Sequence, residues 1–146
     1  RDCELSRGLG DVYKRQRITG GCFCKKIRYT ATIDPKTVTI CHCTDCQINS
    51  GTAYGVVVGV TNEEFILEDG KLTYFEKIAD SGARRSLAFC STCGTRIYAK
   101  PADGKPGRFG IRVGTVDQRE SLIPRQQAFF NSALDWVTDI TNLKKI

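Results

Sequence analysis

Seven cysteines of this chain stand in three tight groups whose spacing suits metal ligation. Cys22 and Cys24 form a Cys-x-Cys, Cys41, Cys43 and Cys46 form Cys-His-Cys-x-x-Cys, and Cys90 and Cys93 form Cys-x-x-Cys followed by Gly94. Four thiolates close a structural zinc site, whereas three leave a coordination position open, as a catalytic zinc needs. The groups sort into four plus three. Cys22, Cys24, Cys90 and Cys93 are therefore expected to hold a structural zinc, and Cys41, Cys43 and Cys46 a catalytic one, two ions per chain. Around a tetrahedral zinc with Zn–S of ~2.3 Å, sulfurs lie roughly 3.7 Å apart. Cysteines at i and i+2 of an extended segment share a face and can reach one ion. A Cys-x-x-Cys-Gly turn does the same, the glycine relieving a tight backbone. Metal on the two separated pairs would add directly to the folding free energy.

In the second group, Cys41 and Cys43 share a face, and His42 points away from it, so this histidine, the only one in the chain, is not counted as a ligand. Asp45 can reach round as a fourth ligand; otherwise the position belongs to water or substrate. Zinc there ionises a bound water or thiol near neutral pH and polarises a carbonyl. A metal-free group and a redox trio remain open as alternatives. Disulfides fit poorly, because pairs this close in sequence cannot staple distant loops, and metal ligation in a reducing cytoplasm accounts better for the pattern.

The chain has 146 residues and a formal charge of +6. Residues 1–16, which include the eighth cysteine, Cys3, lack hydrophobic periodicity. Asp11–Gln16 looks like the in-frame translation of a sequencing adapter, so this segment is read as non-native and left out of the fold. Residues 17–146 then form one zinc-binding domain of ordinary size, with a charge of +5. That balance suits an anionic small substrate. No dense Lys/Arg tract marks a nucleic-acid surface, and no apolar run reaches membrane-spanning length. Oligomeric state is not readable.

The elements that must position the cysteines read mostly as short strands. Strands are expected over Lys26–Ile33, Thr37–His42, the valine-rich Ala53–Val60, Arg96–Lys100, Phe109–Val116 and Gln127–Val137. Phe65–Glu68 and Lys71–Phe75 flank Asp69-Gly70, a strong hairpin signal. A second hairpin is expected from Leu72–Ile78 over Ser81-Gly82 to Arg84–Phe89, and Pro101–Gly107 must be loop. One short helix is expected. Thr44-Asp45-Cys46-Gln47 fits a capping box with Gly51 as its stop, which puts Cys46 in the first turn, where the helix dipole favours a thiolate.

Taken together, Gly20-Gly21-Cys22-x-Cys24 with Ile27-Arg28-Tyr29, then Cys41-His42-Cys43-x-x-Cys46 with Gly51, then Arg85 and Phe89-Cys90-x-x-Cys93-Gly94, then Gly114-Thr115-Val116-Asp117, resemble the glutathione-dependent formaldehyde-activating enzyme family, which includes centromere protein V. The match covers about residues 18–137. The resemblance implies an all-β fold, a β-tent of antiparallel sheets leaning together with zinc knuckles and at most one or two short helices. It implies the same structural and catalytic zinc ligands. It also implies a carbon–sulfur lyase activity of the S-(hydroxymethyl)glutathione synthase type, with a glutathione-like thiol and a formaldehyde-like aldehyde as partners. The chain departs from the pattern in three places. Gln126–Phe130 lacks a histidine that the family often carries there, Lys25 stands where the family has glycine, and the chain after Trp136 lacks the usual proline-containing tail.

Three thiolates on Zn²⁺ leave a net charge near −1, so a basic surround is expected, with Arg84 or Arg85 as the candidate. Tyr54, Phe75 and Trp136 are candidates to wall a cleft or to pack in the core. Two other readings compete with the enzyme: a non-catalytic zinc module contacting nucleic acid or protein, and a thiol redox sensor.

Overall fold

The structure is a computed structural model that describes residues 15–79, 81–105 and 107–146. Residues 1–14, and with them most of the segment read as non-native, lie outside the described residues. Alternation of period two builds the first sheet. β1 (Gln16–Gly21) turns Ile18 and Gly20 inward, and β2 (Arg28–Ile33) turns in Tyr29, Ala31 and Ile33. The two pair antiparallel from Gln16↔Ile33 to Gly21↔Arg28, so Cys22–Ile27 forms the loop at their tip. β5 (Phe65–Asp69) adds to the other side of β2, giving the order β1-β2-β5.

The second sheet has seven strands: β3 (Thr39–Cys41), β4 (Gly55–Thr61), β6 (Thr73–Ile78), β7 (Arg84–Phe89), β8 (Arg96–Pro101), β9 (Arg108–Arg112) and β10 (Gln126–Ala128), ordered β10-β3-β4-β9-β8-β7-β6. Its pairs are antiparallel except β10 with β3, which is parallel. The chain is thus mostly β-sheet. Its one α-helix among the described residues is α1 (Thr44–Ser50), accompanied by single 3-10 turns. The core joins both sheets: Ile18, Tyr29 and Ile33 from the first meet Val58, Val60, Ile97 and Ile111 from the second. Each such side chain contributes about 1.5–3 kcal/mol by leaving water.

Several expected elements differ. Asp69-Gly70 does not turn a hairpin; β5 stays in the first sheet and β6 starts in the second. A two-residue type I′ turn needs positive φ at both central residues, and only Gly70 (φ +88°) has it. A Cβ at Gly70 would also strike the Lys26 carbonyl, because the chain crosses between sheets there. The strand expected over Thr37–His42 shortens to β3, since Asp34 accepts a bond from the Lys36 N–H and winds Pro35–Thr37 into a 3-10 turn. The strand from Phe109 stops at Arg112, and Val113–Thr115 turns. The strand expected to run to Val137 ends at Ala128, because Phe129 takes a left-handed backbone (φ +55°) and 3-10 turns follow. The helix forms as expected and ends at Gly51 (φ +71°), but its N-cap is Cys43, not Thr44. Gln47 instead donates to the carbonyls of His42 (2.8 Å) and Ser132 (3.0 Å), so no capping box forms there.

Candidate metal centres

Two hairpin tips, one from each sheet, bring Cys22, Cys24, Cys90 and Cys93 together, with all four sulfurs within 4.8 Å of one another. Cys22 and Cys24 Sγ lie 3.5 Å apart, and Cys24 and Cys90 Sγ 3.7 Å apart. These are the separations a tetrahedral ZnS₄ centre requires, so the residues fit the ion. The two loops share a backbone plan. The N–H of Cys22 donates to Ile27 O (3.1 Å) and that of Cys90 to Thr95 O (3.0 Å), while Lys25 (φ +69°) and Gly94 (φ +78°) both take left-handed backbones. The family's glycine is thus missing at a position that uses glycine geometry. The Ile27 N–H also donates to Cys22 Sγ (3.2 Å). Thr95 links the loops, accepting from the Phe23 N–H (3.1 Å) while its hydroxyl lies 3.2 Å from Cys93 Sγ. That hydroxyl is the largest influence drawing the Cys93 thiol down to about 5.

Behind this centre the Gly114–Asp117 segment braces the first hairpin. Arg28 donates to both Asp117 oxygens (3.3 and 2.5 Å), and the Thr19 hydroxyl donates to Asp117 (2.6 Å). Hydrogen bonding to Arg28, then to Thr19, holds the Asp117 carboxyl below its usual range. The buried Tyr29 hydroxyl lies 2.7 Å from that of Thr115.

The second group is local. Cys41 ends β3, Cys43 caps α1 and Cys46 lies in the first turn, with the three sulfurs within 4.8 Å of one another. Cys41 and Cys43 Sγ are 3.5 Å apart, and the Cys46 N–H donates to Cys43 Sγ (3.3 Å). The Cys46 thiol is drawn down to about 5, first by its hydrogen bond with Cys41, then by Cys43 and by the charge of Arg112, while the same bond pushes Cys41 up. Three sulfurs at these separations also fit a zinc ion, one ligand short of the four that a tetrahedral zinc takes.

His42 points away from the sulfurs, as its alternation predicts, and is wholly buried. Its Nε2 lies 2.7 Å from Gln127 Oε1, and its ring sits edge-on to Tyr54 and Phe130 at 5.5 and 5.3 Å. The amide oxygen only accepts, so Nε2 donates, and Nδ1 has no partner among the described residues. Gln127 lies in the stretch where the family often carries a histidine, and here it holds His42.

Two expectations about the surround need correction. Asp45 is not with the sulfurs; its carboxylate lies 3.3 Å from Lys77 Nζ. Arg84 is occupied by Glu76 (2.8 and 2.9 Å), and Arg85 by the Ala99 carbonyl (3.4 Å). The cation beside the three cysteines is Arg112 of β9, with Nη1 4.0 Å from Cys46 Sγ. An arginine closing the strand Arg-Phe-Gly-Ile-Arg carries no sequence signal for this, because the contact depends on β4 lying between β3 and β9. Gly55 of β4 makes the passage, since a Cβ there would collide with Arg112 Nη1. Arg112, Arg96, Tyr54, Thr95 and Thr115 line a cleft of about 370 Å³. Phe75 and Trp136 line no part of it and are more than half exposed, so they serve neither suggested role.

A family model described as glutathione-dependent formaldehyde-activating enzyme matches residues 17–132. An uncharacterized lyase of Schizosaccharomyces pombe is 29% identical over 86 residues, spanning 59% of this chain and 59% of the relative. A crystal structure of a Rhodobacter sphaeroides protein superposes with a TM-score of 0.59 at 16% identity, covering 75% of this chain and 99% of that one, a likeness of fold. No helix among the described residues is long and apolar enough to cross a membrane.

Proposed function

The chain belongs to the glutathione-dependent formaldehyde-activating enzyme family, and from that premise we propose that it is a zinc-dependent carbon–sulfur lyase of the S-(hydroxymethyl)glutathione synthase type. Residues 17–146 act as one cytoplasmic domain carrying two zinc ions, structural on Cys22, Cys24, Cys90 and Cys93 and catalytic on Cys41, Cys43 and Cys46. The observation that carries the reading is three gathered thiols beside an arginine that also lines a cleft. The name of the S. pombe relative points to the same reaction class.

The reaction joins the sulfur of a small thiol to the carbonyl carbon of a small aldehyde, with the thiol proton ending on the new hydroxyl; cleavage is the reverse. Zinc bound at the three cysteines supplies a Lewis-acid position for a thiolate or an aldehyde oxygen. Arg112, 4.0 Å from Cys46 Sγ, offsets the negative charge of the three thiolates. The helix start holds Cys43 and Cys46 at fixed spacing, and the Cys46 N–H steadies the Cys43 sulfur. His42, clamped by Gln127, anchors the backbone between Cys41 and Cys43.

The test is zinc per chain by elemental analysis beside Cys43→Ser, with thiol–formaldehyde adduct exchange followed by NMR. Two ions falling to one, together with loss of catalysed exchange, is the expected result. One ion in both proteins would remove the enzyme reading and leave a structural or redox module.

A further inference from the structure

We infer that the cleft beside the three-cysteine group is a carboxylate-binding subsite, with Arg96 and Arg112 as its specificity-determining residues. This deepens the proposed function: the thiol that enters is an anionic one, held by its carboxylate while its sulfur reaches the cysteine group.

The lining decides the charge of the ligand. Two guanidiniums face the cleft, alongside the hydroxyls of Ser50, Thr95 and Thr115, and no Asp or Glu lines it. Elsewhere Arg15, Arg28 and Arg84 pair with Glu64, Asp117 and Glu76. Arg96 and Arg112 pair with no carboxylate among the described residues, although both are half-buried. Arg96 is held over the Phe89 ring, 5.0 Å from its centroid, and Arg112 passes across Gly55 to Cys46. Arg96 is thus fixed by a contact that leaves its charge uncompensated, and Arg112 by one to a sulfur and not to a carboxylate. Half-buried guanidiniums that meet no carboxylate, set in an acid-free wall, raise the local concentration of anions and bind a carboxylate in a fixed plane. With Arg112 Nη1 4.0 Å from Cys46 Sγ, a carboxylate held there is within a short molecule's length of the three sulfurs.

The probe is S-methylglutathione, whose capped sulfur takes no part in turnover, titrated calorimetrically into the zinc-loaded protein beside its dimethyl ester. The free acid should bind at least about tenfold more tightly than the ester, the range of charge-assisted hydrogen bonds. Arg96→Gln should bring the two within about threefold, and Arg96→Lys should restore part of the difference. Zinc content and thermal midpoint are measured on each variant, so that a folding defect is not read as lost binding. Equal binding of acid and ester, no binding of either, or discrimination surviving in Arg96→Gln would overturn the subsite. Because the probe does not react, the lyase reading fails separately: retained acid–ester discrimination without catalysed adduct exchange would remove that reading and leave the subsite standing.

Discussion

The two cysteine groups solve different problems with the same side chain. The four-cysteine group joins hairpin tips from both sheets, and Cys24 and Cys90 in it are 66 positions apart. The three-cysteine group is gathered by one strand end and one helix start within six residues. The first has its backbone N–H and hydroxyl partners arranged around it and two loops of one plan. The second has a single arginine and a cleft beside it. The difference teaches that, with ligand type held constant, ligand separation along the chain decides whether a group ties the two sheets together or stays local to one segment.

The largest effect should come from removing one sulfur of each group. Cys90→Ser should lower the thermal midpoint by more than about 10 °C, because metal on that centre is folding free energy. Cys46→Ser should move it by less than about 3 °C while cutting catalysed adduct exchange by about 100-fold or more. Equal losses of stability in the two variants, followed by calorimetry, would erase the division. A smaller effect sharpens the role of the brace behind the four-cysteine centre. Asp117→Asn should cost about 1 kcal/mol at pH 7, a modest figure because the pair is partly exposed. The Asp117 carboxyl is depressed in the folded state. Its contribution is therefore fully present above the ordinary aspartate range and is lost only as pH falls through the lowered folded value. The gap between wild type and variant in denaturant midpoint should be the same at pH 7 and pH 5; a gap that shrinks by pH 5 would contradict the assignment. The smallest change tests the shared loop plan. Lys25→Gly relieves a left-handed backbone on a residue with a Cβ and should stabilise the protein by about 1 kcal/mol, whereas Gly94→Ala, at the matching place, should destabilise it by a similar amount. Opposite signs from paired denaturation curves are the expected signature.

Much of this was legible in the residues, for local reasons. The partition of seven cysteines into four and three follows from spacing, and it is how the sulfurs gather in space. The Ser81-Gly82 hairpin was legible because both of its strands lie in one sheet. Asp69-Gly70 carried an equally strong local signal and misled, because the partner of β5 is β2, over thirty residues earlier, and turn chemistry does not report such pairings. The C-terminal strand failed at Phe129, where an aromatic residue takes a left-handed backbone that its type disfavours and that no local sequence signal announces. Arg112 was out of reach because its neighbour, Cys46, is set by the order β3-β4-β9 and not by any motif. His42 was read correctly as facing away, but its bond to Gln127 depends on the parallel β10–β3 pair, which nothing local announces.

The span of the four-cysteine clamp has a consequence for how the chain comes to be made. Closing a loop of 66 residues, as between Cys24 and Cys90, costs roughly 4 kcal/mol of chain entropy, against roughly 1.5 kcal/mol for the five-residue step from Cys41 to Cys46. On a ribosome the three nearby thiols emerge together and can take up metal while half of the chain is still unmade. The clamp stays incomplete until residue 93 has emerged, and it waits on slow, non-local strand pairing besides. On the proposed assignment, zinc supplied during synthesis would therefore fill the three-cysteine group first and the four-cysteine clamp last, so a brief shortage of the ion would leave misfolded chains rather than folded, inactive ones.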